Sequence, residues 1–381
     1  MSSSWQAALA RWTTADLVDA ATADRIRAWE AEHGGAASQG RLALIAFGFG
    51  GLLLIAGVLL FVAAHWDDLS PTGRFALVLA MIAVAHVSGA FAAKGSAGLS
   101  ATLHAVGTGA LGAGIYLAGQ IFNMAEHWPG ALMLWSFGAA AGVLLLRQWP
   151  QVLWLALLAP AWLCGEWIEA QAPHMFGRAM TPAAVGLFLL ACAYLAASSP
   201  GSNAGWRRTL VWLGALALVP AAVMLTATGH DDWRPPSESL QELGMGALVV
   251  GWGLAIALPL AVAFALRGRE ARWLLVALAW SLIVIRIDTS HDAGDLGLLA
   301  MMALGAAGVV LWGVKDQQRL AINVGVLGFA LAVLFFYFSS IFDKLGRSLG
   351  LIGIGVIFIG GGWLLERMRR RLVGRIGTGR P

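Results

Sequence analysis

Polar and apolar positions divide this chain into a mixed opening and a long series of apolar runs. The first forty residues are largely polar; from Leu42 onward apolar runs follow one another with short breaks. A helix needs ~20 predominantly apolar residues to cross the hydrocarbon core of a bilayer. About twelve runs approach that length, at 42–64, 74–93, 99–122, 131–147, 150–166, 181–198, 207–227, 244–266, 271–287, 295–313, 319–338 and 348–366. None alternates strictly between apolar and polar residues, as the strands of a membrane barrel would. The pattern predicts an all-α, polytopic transmembrane helix bundle of about twelve spans.

The opening segment, 1–40, reads as a short cytoplasmic helical hairpin and linker. Thr13 and Asp16 have the spacing of a capping box. Thr22 stands where a second helix would begin, Ile26 and Trp29 share a face of it, and Gly34 and Gly35 end it. With no apolar run before Leu42, the first span is expected to insert as an internal anchor rather than as a cleaved signal peptide. The polar stretch 199–206 separates a first membrane half, 41–198, from a second, 207–366, each with about six runs; a basic tail, 367–381, follows. The first run of each half leads into a similar cluster, His65, Trp66, Asp67 and Asp68 in one and His230, Asp231, Asp232 and Trp233 in the other. Repeated halves are a common plan among transporters.

Composition agrees with the pattern. Charged residues make up 12% of the chain and hydrophobic ones 59%, with a mean hydropathy of +0.74. Soluble domains carry about 25% charged residues. Charge then orients the bundle. With the N-terminus inside, 19 of the 25 Lys and Arg fall on the cytoplasmic side. Positive residues collect in cytoplasmic loops, so both termini are expected in the cytoplasm. Trp66, Trp128, Trp167 and Trp233 fall at outer ends, and Trp149, Trp206, Trp273, Trp312 and Trp363 at or near inner ends. That is the distribution of an aromatic belt. The net charge of +4 is too modest and too one-sided to imply nucleic acid as a partner.

Candidate chemistry sits on two levels. Ionisable groups inside spans mark functional sites by default; here they include His86 and His104. The third run ends in a polar face. Tyr116, Gln120 and Asn123 are spaced three or four residues apart and so adjoin on a helix. They are expected to line a pocket near Trp66 and Glu126 that opens outward and takes a small solute. The outer loops gather imidazoles with carboxylates: His65, Asp67, Asp68, His127, His230, Asp231 and Asp232. Such a set suits a divalent cation, although no loop has the HxxxH or HExxH spacing. Gly107, Gly109 and Gly112 spell GxGxxG, but inside an apolar helix, where the dinucleotide fingerprint requires a preceding strand. Small residues at four-residue spacing (Ala101, Ala105, Gly109, Ala113; Ala110, Gly114, Ala118) predict close helix neighbours instead. No triad order, Walker motif or zinc-peptidase motif is present, so no enzyme and no cofactor are expected. Cys164 and Cys192 lie in apolar runs and carry no metal-binding spacing.

Two stretches carry a resemblance. Gly51 to Leu77, GLLLIAGVLLFVAAHWDDLSPTGRFAL, and Gly114 to Asn123, GIYLAGQIFN, resemble the signatures of a family of uncharacterised multi-pass bacterial inner-membrane proteins with an N-terminal domain of unknown function. His65 stands where members often carry Asn. Asp343 to Arg371 is similar to a companion domain of unknown function. The resemblance implies that Trp66, Gly119 and Gln120 matter, and brings no activity with it. Two readings follow: a transporter or permease-like bundle for a small solute or ion, or a non-transporting scaffold or sensor. The second would bind a cytoplasmic protein through residues 1–40 and use the acidic, His-bearing outer face.

Overall fold

The structure is a computed structural model. It describes residues 4–29, 70–122, 127–170, 180–198, 204–228, 245–287 and 292–336, with isolated positions between 46 and 64 and between 355 and 367. Among the described residues the regular elements are helical. They are α1 (Ser4–Thr14), α2 (20–29), α3 (Pro71–Ala92), α4 (Ala97–Ile121), α5 (Trp128–Leu146), α6 (Trp149–Ala170), α7 (Thr181–Leu195) and α8 (Gly205–Ala227). There follow α9 (Met245–Arg267), the 3₁₀ turn Gly268–Arg272, α10 (Trp273–Val284), α11 (Asp292–Lys315) and α12 (Arg319–Phe336). Among the described residues seven helical stretches are long and apolar enough to cross a membrane: α3, α4, α5, α6, α8, the continuous Gly246–Val284 stretch, and Leu296–Lys315 of α11. The runs at 42–64 and 348–366 are described only at scattered positions.

The opening segment corrects two expectations. Thr13 does not start a helix; it sits in the last turn of α1, where its hydroxyl donates to the carbonyl of Leu9 at 2.9 Å. Asp16 follows with φ 57°, in the left-handed region that ends the helix. The cap of α2 is Asp19, whose carboxylate accepts from the amide of Thr22 at 3.3 Å. An aspartate three residues upstream wins over the β-branched threonine, as capping preference favours.

Contacts divide the chain into two compact units, Met1–Glu126 and His127–Pro381. The 199–206 linker joins α7 to α8 within the second. In the first unit, α3 and α4 form an antiparallel hairpin. Ser70 caps α3 by accepting from Gly73, Pro71 opens it, and Ser96 caps α4 by accepting from Leu99. Proline suits a first helical position because its missing N–H has no intrahelical partner there. α4 has the largest buried share of the seven spans, 44%. Its small residues are the reason: Ala101, Gly107, Gly109, Ala110, Gly112 and Gly114 are all buried.

The second unit is built around α7. Ala184, Val185 and Leu189 are fully buried, and α8, α9 and α10 pack on this helix. The carbonyls at and just after its C-terminus, from Leu195 to Ser198, are met by side chains from three other elements. Arg207 donates to Ala197 at 2.9 Å and to Leu266 at 3.0 Å; Arg267 donates to Ser198; Gln318 donates to Leu195 at 2.9 Å. Arg267 is also paired with Asp316 at 2.7 Å, both side chains largely buried. Cations at a helix C-terminus satisfy orphan carbonyls and oppose the negative end of the dipole.

Helix pairs close on glycines. Trp128 lies over Gly165, Trp167 over Gly251 and Trp280 over Gly305, with a carbon at each glycine set to meet the ring at 2.9 Å or less. The tightest crossing joins α7 to α8: a Cβ at Gly214 would stand 2.2 Å from the backbone nitrogen of Leu195 and 2.6 Å from the carbonyl oxygen of Ala191. Backbone cannot swing aside as a side chain does. Gly214→Ala is therefore expected to destabilise by about 1–3 kcal/mol, the usual cost of overpacking. Gly253→Ala, where a Cβ would meet nothing within 4 Å, is expected to leave stability unchanged. Thermal melting of the purified variants in detergent checks both; equal midpoints would contradict the packing described.

Candidate functional site

The α3–α4 hairpin brings two of the expected site residues together. Its turn is centred on Gly95, and His86 and His104 are each nine residues from that point. Antiparallel pairing therefore sets them opposite one another, about 10 Å from the turn at 1.5 Å per residue. Their Nδ1 atoms are 3.0 Å apart. The ring centroids are 5.3 Å apart, with planes inclined by 34°. The difference between the two separations is two ring radii, so both nitrogens lie close to the line between the rings. The imidazoles meet head to head along their lone-pair directions. His104 is buried and His86 is half-buried.

Glycine makes this approach feasible. The His86 ring lies against Gly107, where a Cβ would come within 2.7 Å of it. The His104 ring lies against Gly89, where a Cβ would come within 3.0 Å. Each histidine thus occupies the space that a side chain on the opposite helix would fill. Higher up the hairpin Val78 does the same over Gly114, and Phe75 meets Phe122 edge-on at 5.8 Å. The first glycine of the GxGxxG is a seat for an imidazole.

At 3.0 Å one Nδ1 carries the hydrogen and the other offers its lone pair, since a neutral imidazole has one donor and one acceptor nitrogen. Such a pair can gain one proton on the donor ring's Nε2 without losing its central bond. The bond then becomes charge-assisted and stronger. A second proton puts two N–H groups face to face. Two unit charges at the centroid separation repel by on the order of 3 kcal/mol even at an effective dielectric of ~20. The geometry accommodates one added proton and opposes two.

The other expected residues are dispersed. Gln120 donates to the hydroxyl of Tyr116 at 3.0 Å, one turn away on α4, and both side chains are exposed on the first unit. The remaining members expected around them, Trp66, Asn123 and Glu126, lie outside the described residues. So do His65, Asp67, Asp68, His230, Asp231 and Asp232 of the cation set. His127, in the second unit, stands just before α5 with its Nε2 3.2 Å from the Glu166 carboxylate and its Nδ1 3.6 Å from that of Glu169. Trp162 donates to the same Glu166 oxygen that faces His127, at 2.8 Å. This cluster ties the start of α5 to the end of α6. Among the described residues no group of three or more His, Cys, Asp or Glu has the geometry to hold a metal ion.

Sequence reasoning found His86 and His104 separately and missed that they pair with each other. The signal was present in their equal distance from Gly95, together with a glycine three residues beyond each histidine in the chain, Gly89 and Gly107. It also missed the capping of α7 by Arg207, Arg267 and Gln318, because those residues read as ordinary polar ends of spans.

No curated protein and no solved structure matches the chain. Residues 10–154 match the model of a family described as "Predicted membrane protein (DUF2157)", a stretch that takes in both histidines, the polar end of α4 and all of α5. With its apolar, membrane-length helices and this family match, the chain is a membrane protein whose environment is a lipid bilayer.

Proposed function

We propose that this chain is a multi-pass protein of the bacterial inner membrane, with about twelve spans and both termini cytoplasmic. We propose further that it is a permease-like bundle in which the ion handled is the proton. The observation that carries this reading is the in-line His86–His104 pair within a membrane-length hairpin. Buried ionisable residues in a bilayer are costly to keep, and they recur where protons or ions move. Histidine is the side chain whose ordinary titration range is closest to neutral pH. A pair that takes one proton and resists a second suits a step in which a single proton is held and released. The sidedness of charge supports the orientation, since 19 of the 25 Lys and Arg share one side in a twelve-span count. The sensing alternative draws on the same pair: a hairpin that opens on a second protonation would report acid without moving anything across the membrane.

Two experiments test the proposal. For orientation, a reporter active only in the cytoplasm is fused to Pro381, and one active only outside is placed at Asp231; both are expected to be active, and silence from both overturns the topology. For function, the full chain is reconstituted into liposomes holding a pH-sensitive dye, and a pH step is applied with the potential clamped. Proton equilibration is expected to be severalfold faster than in protein-free liposomes, and His104→Gln is expected to return it close to that baseline. A rate equal to that of empty liposomes, with the protein folded, would reject proton movement and leave the sensor.

A further inference from the structure

The second unit contains an elongated cavity of about 980 Å³ between the α11–α12 hairpin and helices α7, α8 and α10. Pockets that bury a small ligand run from ~300 to ~1,000 Å³. The α11 side of the cavity extends from Leu298 to Lys315, about 25 Å at 1.5 Å per residue. Half of a bilayer's hydrocarbon core is ~15 Å, so the cavity is long enough for an acyl chain to run from headgroup level past the midplane. Its walls are apolar over this length, with Phe188, Leu218 and Trp280 among the lining residues. Only 6% of the membrane-length stretch of α11 is buried, which leaves that side of the unit open to lipid.

Charge is confined to one end. The charged lining residues, Arg267, Glu270 and Lys315, all belong to the end of α9, the turn after it, or the end of α11. These two turns are joined by the Arg267–Asp316 ion pair and by Lys315, whose ammonium sits 4.1 Å from the centroid of the Trp273 ring. With Arg269, Arg272 and Arg319, the residues of these two turns and the helix ends beside them carry five cations and two carboxylates. Arg267 is committed to Asp316, whereas Lys315 and Arg269 are exposed.

We propose that this cavity is a binding site for an anionic phospholipid, with one acyl chain along α11 and the phosphate at the Lys315 mouth. An apolar tunnel alone would accept any chain; the cationic mouth selects the head. The site lies within the second unit and does not rest on the proton reading of the first.

The test uses the full chain in liposomes and a phosphatidylglycerol carrying a photoreactive diazirine on one acyl chain, with labelled residues mapped by mass spectrometry. Labelling is expected to concentrate on the cavity walls, on peptides holding Trp280, Leu298 and Gly305. The same acyl chain on phosphatidylcholine is expected to label these peptides severalfold less, and Lys315→Glu to remove the difference. Gly308 lines the cavity, and a Cβ there would meet nothing within 4 Å. Gly308→Phe is therefore expected to narrow the cavity beside α11 and lower the concentrated labelling severalfold without disturbing the helices; Gly308→Leu serves should the larger ring prevent folding. Labelling spread evenly over all lipid-facing helices would overturn the site. Equal labelling by the two headgroups would overturn the anionic selection, and a free fatty acid labelling as strongly as phosphatidylglycerol would overturn the assignment to a phospholipid.

Discussion

Helices in a bilayer gain nothing by hiding apolar surface from one another, because the lipid tails are as apolar as the side chains. They associate through close contact and through hydrogen bonds between helices. In this protein one recurrent form of close contact places a large side chain on one helix over a glycine on the next. His86 over Gly107, His104 over Gly89, Trp128 over Gly165 and Trp280 over Gly305 are four instances of one device. The glycine removes a methyl group from the path of a ring, and the ring fills the space. Dispersion is short-ranged, so a gap of even 0.5–1 Å forfeits a quarter or more of each contact. Tryptophan in that position gives a packed joint. Histidine in that position gives a packed joint that also carries chemistry.

The hairpin of α3 and α4 shows how one constraint sets both structure and site. Two glycines allow two imidazoles to enter the same layer from opposite helices, and the antiparallel register puts them head to head. His104 is buried and His86 half-buried, and pairing keeps one nitrogen of each ring from standing unpaired in lipid, where that is costly. The hydrogen bond between them satisfies one nitrogen of each and fixes which protonation states the layer tolerates. α7 solves the equivalent problem for backbone. The carbonyls at and just after its C-terminus are met by Arg207, Arg267 and Gln318 from three different elements, so the most buried helix ends in a polar knot.

Much of the helical architecture was legible in the sequence because lipid imposes a length and a composition that a chain cannot disguise. α3, α4 and α8 begin within three residues of the expected limits. The N-terminal caps were misread because Asp19 and Thr22 compete for the start of α2, and because at Thr13 a hydroxyl bonding back to the carbonyl four residues earlier looks the same in sequence as one capping forward. The histidines were legible as residues out of place in apolar runs. Their partnership was not, because it depends on the register between two helices and on glycines whose other readings, flexibility or a nucleotide loop, are the more familiar ones. Tyr116 and Gln120 were legible as neighbours by their spacing alone, and they do bond to each other. What else they face is set by residues far away in the chain, which spacing cannot reach.

The central claim is that glycine-seated His86 and His104 share one hydrogen between their Nδ1 atoms. ¹⁵N magnetic resonance of histidine-labelled full-length protein in lipid bilayers tests it most directly. The account predicts one protonated and one bare Nδ1 in the pair at neutral pH, coupled across the hydrogen bond. It predicts a single added proton on acidification, and loss of the coupling in Gly107→Ala, where the new methyl displaces the His86 ring. Two uncoupled imidazoles that each gain a proton independently, unchanged by Gly107→Ala, would contradict it.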